Sequence, residues 1–260
     1  MITMTNPSGS TPPFLGQRAV VLGASIAGLL AARALAGRFA EVLLLERDEL
    51  PLGAIPRKGT PQAIHPHGLL AKGREVLESL FPGFTESLVR QGAILSARPE
   101  HLLLVAGGRR FARGARSLQG IGVSRLAIEA ELRRRVLALP SVRAVTGVDV
   151  RSPVLDAERQ RVVGVAISHR EGELEETLAA DLVVDCTGRG SRAPSWLTSW
   201  GYDAPDEERV EVGIRYVSAY FRRGAHPEGF PVGVICSATA QLPRPAVMIA
   251  QEPGMDGVPR

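Results

Sequence analysis

The chain has 260 residues, 45% of them hydrophobic, which is enough for one large domain or two modest domains with an apolar core. Its net charge is +4, but only 5% of the residues are aromatic and the arginines are interspersed with acids, so no nucleic-acid partner is predicted. Two cysteines are too few for a disulfide framework or a cysteine metal cluster, and they favour a reducing, cytoplasmic location.

The N-terminal region predicts neither a signal peptide nor a membrane span. Residues 1–14 lack the basic start and the apolar stretch of a signal peptide, so we expect a disordered lead-in. Residues 19–36 are apolar enough to imitate a membrane span, but two glycines and Arg33 interrupt the run. A buried strand followed by a buried helix explains this run better.

The first elements predict a parallel sheet. A short apolar strand at 18–22 leads into an Ala- and Leu-rich helix at 25–37, and a second apolar strand follows at 41–46. Such a βαβ unit is typical of α/β proteins with a Rossmann-like sheet.

The remaining elements predict further core strands, a meander and several helices. Residues 47–68 contain four prolines and are predicted to be irregular. Helices are predicted at 69–80, from Thr85, and at 124–139 with Ser124 as its N-cap. Strands are predicted at 102–105 and 109–112 (a hairpin around Gly107–Gly108), 142–145, 161–169 and 174–179 (a β-meander), 181–185 and 216–222.

The turn between the first strand and helix carries a dinucleotide-binding pattern. It reads Gly23-Ala24-Ser25-Ile26-Ala27-Gly28, which is G-x-G-x-x-G with serine at the middle glycine. Gly23 permits the tight turn, Gly28 permits close helix–sheet packing, and phosphates would lie on the N–H groups at the positive helix end. Glu46 ends the second strand, where an acid binds the adenosine ribose hydroxyls and disfavours a 2′-phosphate. The pattern therefore predicts an adenine dinucleotide other than NADP.

Two alternatives remain for the same residues. Ser25 could be the nucleophile of a G-x-S-x-G elbow with Ala27 in place of the second glycine. However, an α/β-hydrolase needs several strands before its elbow, and Glu46 would have no role. The other alternative is a structural turn without a ligand.

Four segments together resemble one protein family. They are 20–47 with GASIAGLLAARAL and LLLERD, 56–70 (PRKGTPQAIHPHGLL), 124–136 (SRLAIEAELRRRV) and 180–197 (ADLVVDCTGRGSRAPSWL). The chain resembles FAD-dependent monooxygenases of the para-hydroxybenzoate hydroxylase type, and most closely the actinobacterial branch with the polyether epoxidases. This resemblance implies an FAD-binding domain at 15–72 and 120–198, and a mostly β, incomplete substrate domain at 73–119 and 199–260.

The resemblance also implies roles for individual residues. Around the turn, Gly23, Ser25, Ala27 and Gly28 would contact the pyrophosphate, with Ala24 and Ile26 completing the turn, while Glu46 would bind the ribose and Arg47 would lie beside the adenine. Arg57 occupies the place of an arginine that reaches the phosphates or the ribityl chain, and Arg125 that of a residue on the flavin side. The family's Asp-Gly motif after the fourth core strand is replaced by Thr187-Gly188, with Asp185 two residues earlier.

The implied function is FAD-dependent insertion of one oxygen atom from O₂ into a small organic substrate, such as a polyketide or an isoprenoid. NAD(P)H would be the transient electron donor. One alternative is a flavin-dependent reductase on the same fold. The other is a truncated, non-catalytic nucleotide-binding fragment, because no second Gly-Asp segment is found before Arg260. No catalytic residue, metal ligand or oligomeric state is predicted.

Overall fold

A computed structural model describes residues 14–96, 101–111, 119–158, 161–170, 174–222, 224 and 232–253. The expected lead-in at 1–14 therefore lies outside the described residues, except for Phe14. The chain divides into two compact units: Met1–Leu52, Arg57–Gly59 and Leu132–Ile214 in the first, and Gly53–Pro56, Thr60–Glu131 and Arg215–Arg260 in the second. The domain boundaries predicted from the sequence remain predictions.

The described strands are β1 (Gly16–Leu22), β2 (Phe39–Leu45), β3 (Gly68–Leu69), β4 (Ile94–Ser96), β5 (Leu102–Ala106), β6 (Arg109–Arg110), β7 (Gly120–Gly122), β8 (Val142–Val145), β9 (Val148–Leu155), β10 (Val162–His169), β11 (Glu175–Ala179), β12 (Leu182–Asp185), β13 (Gly233–Cys236) and β14 (Ala246–Ile249). The helices are α1 (Ile26–Leu35), α2 (Ala71–Leu80), α3 (Phe84–Arg90), α4 (Arg125–Leu137) and α5 (Ala193–Ser199), with a 3-10 turn at Pro61–Ile64.

The first unit is built on a parallel four-stranded sheet with the order β12-β1-β2-β8. The last four residues of β1 and of β2 are buried, because a parallel sheet is covered on both faces and its strands become continuous apolar runs. The predicted βαβ unit, the third strand at 142–145 and the strand into Asp185 are all confirmed. The apolar run at 19–36 is a strand, a turn and a helix, and none of the described helices is long and apolar enough to span a membrane.

An antiparallel meander packs on this sheet. Strands β9, β10 and β11 pair in that order, which confirms the predicted meander and adds β9 to it. Val165 and Ile167 of β10 join Val20, Leu43 and other buried residues of the sheet in one apolar cluster. This cluster covers one face of the sheet with a second layer of strands, so the core of this unit lies between two layers of secondary structure.

The second unit holds two smaller sheets. One has the order β14-β13-β5-β6 and the other β3-β7-β4. The predicted hairpin is confirmed, because β5 pairs antiparallel with β6 and both Gly107 and Gly108 have positive φ angles, 56° and 75°. A two-residue turn with two positive φ angles matches the twist of a hairpin and favours Gly-Gly.

The strand predicted at 216–222 is wrong, because no described residue of this range pairs in a sheet. Side-chain contacts hold this segment instead: the Tyr220 hydroxyl donates to the Ile64 carbonyl at 2.8 Å, and Ser218 Oγ lies 2.8 Å from His65 Nδ1. Alternate side chains therefore face the unit, while Val217 is 96% exposed. The period-2 pattern therefore reflects alternating exposure of Val217, Ser218, Ala219, Tyr220 and Phe221 and not strand pairing.

Candidate functional site

The glycines of the turn after β1 are required by close backbone approaches. Gly23 has a φ of +91°, and a Cβ on it would lie 2.9 Å from the Cys186 carbonyl oxygen. A Cβ on Gly28 would collide with the carbonyl oxygen of Gly23, so α1 can pack against the turn only if this residue has no side chain. Both steric roles predicted from the sequence are present in the structure.

Helix α1 opens directly from this turn. Ser25 is its N-cap residue in an extended conformation, and the first helical hydrogen bond runs from the Leu29 N–H to the Ser25 carbonyl at 2.9 Å. The N–H groups of Ile26, Ala27 and Gly28 precede that bond and have no acceptor within the helix. The first turn of α1 contains no acidic side chain that would offset its positive end. These amides can therefore hold a phosphate group.

Glu46 lies immediately after β2, and its carboxylate is buried beside the turn. Its Oε2 atom accepts the Ala24 N–H at 2.9 Å, while Oε1 accepts the N–H groups of Arg47 at 2.8 Å and Asp48 at 3.1 Å. The structure thus places the predicted ribose-binding acid next to the fingerprint turn. It also gives Ala24 a specific role, because the amide of Ala24 binds Glu46.

Arg57 joins this group through two carboxylates. Its Nη1 atom lies 3.0 Å from Glu46 Oε2 and 3.4 Å from Asp48 Oδ2, and only 7% of its side chain is exposed. Asp48 Oδ2 also accepts the Gly59 N–H at 2.6 Å. Arg47, in contrast, is half exposed, with its Nε atom 3.8 Å from Asp48 Oδ1. The sequence analysis overlooked Asp48, although an acid two residues after Glu46 was a visible signal.

The loop after β12 is organised by Asp185. Its Oδ1 atom accepts the N–H of Thr187 at 2.8 Å and its hydroxyl at 2.6 Å, and Oδ2 accepts the Ser191 hydroxyl at 2.6 Å. Burial opposes the ionisation of Asp185, but the hydrogen bonds from Ser191 and Thr187 outweigh it and lower the pKa of this carboxyl below its usual value. Gly188 follows with a φ of +67°. Asp185 therefore shapes the loop that replaces the expected Asp-Gly motif.

Cys186 connects this loop to the glycine turn. Its N–H donates to the Leu22 carbonyl at 2.8 Å, and its own carbonyl faces Gly23. Burial and the charge of Asp185 raise the pKa of the Cys186 thiol. A raised pKa keeps the thiol protonated and makes it a poor nucleophile.

Arg125 is the one predicted site residue in the second unit, where it begins α4. The predicted cap is confirmed, because Ser124 Oγ accepts the Ala127 N–H at 3.0 Å. A carboxylate 128 residues away completes the cap: Glu252 accepts the Ser124 N–H at 2.9 Å through Oε2 and the Ser124 hydroxyl through Oε1. Arg125 Nη2 lies 3.8 Å from Glu129 Oε2.

A groove of about 1000 Å³ lies at the opposite end of the parallel sheet. Its lining includes Gln17, Arg18 and Asp181, at the amino ends of β1 and β12. Ligands of open α/β sheets bind beyond the carboxyl ends of the strands, where the glycine turn, Glu46 and the Asp185 loop lie. The chemistry and the sheet geometry therefore favour the turn as the candidate site, in preference to this groove.

The parallel sheet, the meander and the glycine turn define a Rossmann-like α/β fold. No protein-family model matches the chain. It is similar to pqsL, a probable FAD-dependent monooxygenase from Pseudomonas aeruginosa (TM-score 0.55, 16% identity, 76% of this chain and 48% of that one). It is also similar to p-nitrophenol 4-monooxygenase PnpA from Pseudomonas putida DLL-E4 (TM-score 0.53, 17% identity, 70% and 44%). The likeness shows the fold and confirms the predicted fold class.

The chain is also 41% identical over 239 residues to Protein Rv3254 of Mycobacterium tuberculosis. This alignment covers 84% of this chain and 50% of the relative. It therefore spans about half the length of the curated relative it matches. A further structural neighbour is the myxobacterial halogenase CndH (TM-score 0.51, 22% identity, 69% of this chain and 39% of that one). The structural neighbours thus include two monooxygenases and a halogenase, and their fold gives no support to a hydrolase elbow at Ser25.

Proposed function

We propose that this chain binds FAD through its ADP half and is the cofactor-binding part of a flavin-dependent monooxygenase. The observation that carries this proposal is that the α1 amides and the Glu46 carboxylate lie together at one turn. The turn is so tight that a Cβ on Gly28 would not fit. A phosphate needs the amides and a ribose needs the acid, so the two features together fit an adenine dinucleotide.

Each residue of the site has a distinct part in this proposal. The N–H groups of Ile26, Ala27 and Gly28 would bind the pyrophosphate, and Glu46 would bind the ribose hydroxyls. Arg47, exposed at the rim, would lie over the adenine. The loop shaped by Asp185 would border the cofactor on the side of β12, because Cys186 of that loop contacts the turn.

The flavin, when bound, would supply the activation of O₂ and the transfer of one oxygen atom to an organic substrate, with NAD(P)H as electron donor. Hydroxylation and epoxidation, as in the polyether epoxidases that the sequence resembles, are both compatible with this proposal. The protein would bind the cofactor and exclude water, and no side chain is assigned as a general acid or base.

The cofactor proposal is tested by titrating FAD into the purified chain and following the yellow flavin spectrum and its fluorescence. We expect saturable binding. Glu46→Gln should weaken it about tenfold, because a hydrogen bond to a charged acceptor becomes one to a neutral acceptor. Glu41→Gln is the matched control on β2, the strand that Glu46 follows, since Glu41 also pairs with an arginine, Arg18, at 2.6 Å. Protein that stays colourless with excess FAD would refute the proposal.

The oxygenase proposal competes with a flavin-dependent reductase on the same fold. Labelled ¹⁸O₂ separates the two, because a monooxygenase places one labelled atom in the product and a reductase places none. The assay requires a reconstituted protein with NAD(P)H and candidate polyketide or isoprenoid substrates. Product without the label would leave the reductase as the function.

A nucleotide-binding chain without catalysis of its own is a second candidate, favoured by one observation. The segment of the second unit that begins at Arg215 exposes apolar side chains, including Val217 at 96% and Phe221 at 87%. Large apolar side chains exposed close together in the chain are typical of a surface that another polypeptide covers. Saturable FAD binding without turnover of any electron donor would support this candidate.

A further inference from the structure

The carboxylate of Glu46 has its acceptor positions filled by protein donors. Two oxygens of a carboxylate offer about four acceptor sites in total. Three of them receive the backbone N–H groups of Ala24, Arg47 and Asp48, and Arg57 Nη1 takes the fourth at 3.0 Å. A ribose hydroxyl that donates to Glu46 must therefore displace one of these four donors.

Only one of the four donors is able to move away. The three amides belong to the glycine turn and to the residues directly after β2, so their positions follow from the backbone. Arg57 reaches Glu46 with a long side chain that comes from a Pro-rich loop. A second carboxylate can also pair with Arg57, because Asp48 Oδ2 lies 3.4 Å from the same Nη1 atom.

Asp48 is held in place to receive this arginine. Its Oδ2 atom accepts the Gly59 N–H at 2.6 Å, which fixes the carboxylate to the loop that carries Arg57. The side chain of Asp48 is only 9% exposed, so water competes little for the ion pair. Arg57 can thus leave Glu46 without losing its charge partner.

We propose that Arg57 and the ribose hydroxyls compete for Glu46, and that Asp48 is a positioning residue that retains Arg57 when the ribose binds. This inference rests on the proposed function, because it assumes that Glu46 receives the ribose. It adds that the affinity for the ribose depends on an exchange between two buried carboxylates.

The test compares ADP with 2′,3′-dideoxy-ADP by isothermal titration calorimetry on the full chain. The ratio of the two dissociation constants isolates the hydroxyl groups, because contacts to the phosphates and adenine cancel. In Arg57→Met the competitor is gone, and we expect this ratio to rise about tenfold. In Asp48→Asn, Arg57 loses its alternative carboxylate and pairs more strongly with Glu46, so the ratio should fall. In the double variant Asp48→Asn/Arg57→Met, the ratio should equal that of Arg57→Met alone.

Arg18→Met is the matched control, because it removes another arginine–glutamate pair of the same sheet. Its ratio should equal that of the parent chain. Each ratio is measured within one variant, so a general loss of stability does not imitate the effect. An unchanged ratio in Arg57→Met, or an Asp48→Asn effect that persists without Arg57, would overturn the competition. A parent chain that binds no ADP would instead refute the proposed function itself.

Discussion

Replacing Gly28 by alanine should destabilise the first unit, although alanine is the better helix former. Replacing an exposed glycine within a helix by alanine increases the stability of the helix by about 1 kcal/mol. At position 28 the new Cβ collides with the Gly23 carbonyl oxygen and would lie 2.9 Å from the Gly23 carbonyl carbon. These are backbone atoms of a turn between two packed elements, so they cannot rotate away as the end of a side chain would.

The collision should outweigh the gain in helix propensity. Overpacking of a buried site costs about 1–3 kcal/mol, and a backbone obstacle places this site at the upper end of that range. Subtracting the gain in propensity leaves a net loss of about 2 kcal/mol, which lowers the unfolding midpoint by about 4–8 °C in a chain of this size. Since α1 must shift, its first-turn amides move as well, and ADP binding should weaken about tenfold or more.

The assay is thermal unfolding with and without ADP, read on the transition that ADP shifts upward, because the chain has two compact units. Gly73→Ala is the matched control: it lies in α2, gains the same propensity, and meets only the end of the Leu69 side chain, at 2.9 Å. Gly73 lies in the second unit, so the midpoint of this variant is read on that unit's transition, and it should stay the same or rise. A Gly28→Ala protein with an unchanged midpoint and an unchanged ADP affinity would refute the reasoning.

Three other predictions concern pH and capping. Despite burial, hydrogen bonds hold the pKa of Asp185 below its ordinary value of 3.8, so the loop keeps its full stabilisation above that pH and loses it as the pH falls through the lowered pKa. Hydrogen exchange of the loop should rise at that lower pH, and Asp185→Asn should remove this step. Burial and Arg125 lower the pKa of His67 below 6.5, so its NMR titration should show a neutral ring at pH 7 and Arg125→Met should raise the midpoint without restoring 6.5. Stability contributed by neutral His67 is complete above pH 6.5 and declines below it. Glu252→Ala should cost about 1–3 kcal/mol in denaturant unfolding, because the buried Ser124 loses its acceptor, and Glu252→Gln should recover part of the loss.

The parallel sheet could be predicted because its information is local. A parallel strand that is buried on both faces must be apolar at nearly every position, and VVL in β1 or LLL in β2 shows this directly. The Gly107–Gly108 turn is equally local, since two positive φ angles restrict the residue type. Strand β13, in contrast, pairs in parallel with β5, with Gly233 opposite Leu102. No local period reveals a partner so far along the chain, and for this reason β13 and β14 were not predicted.

The residues of the candidate site likewise fall into those fixed by local geometry and those fixed by longer-range folding. Gly23, Gly28 and Glu46 were predictable because a turn, a close packing contact and the end of an adjacent strand each fix one residue type. The pairing of Arg57 with Glu46 and Asp48 was not, since the resemblance placed this arginine near phosphates or the ribityl chain. An ion pair between residues nine or eleven positions apart depends on how the intervening loop folds. The capping of α4 by Glu252 is a longer-range example of the same limit.

This division also explains why the cofactor can be proposed more specifically than the substrate. Recognition of the ADP half needs one turn, one helix end and one acid, all within the first 46 residues and all fixed by backbone geometry. In the proposed function, recognition of a substrate would depend on side chains of the second unit, where strands such as β5 and β13 pair across long stretches of chain. Residue types on such strands follow the ligand and not the fold, so no steric rule selects them. A nucleotide affinity that responds to Gly28 and Glu46 would therefore establish the cofactor site while leaving the substrate to be found by direct assay.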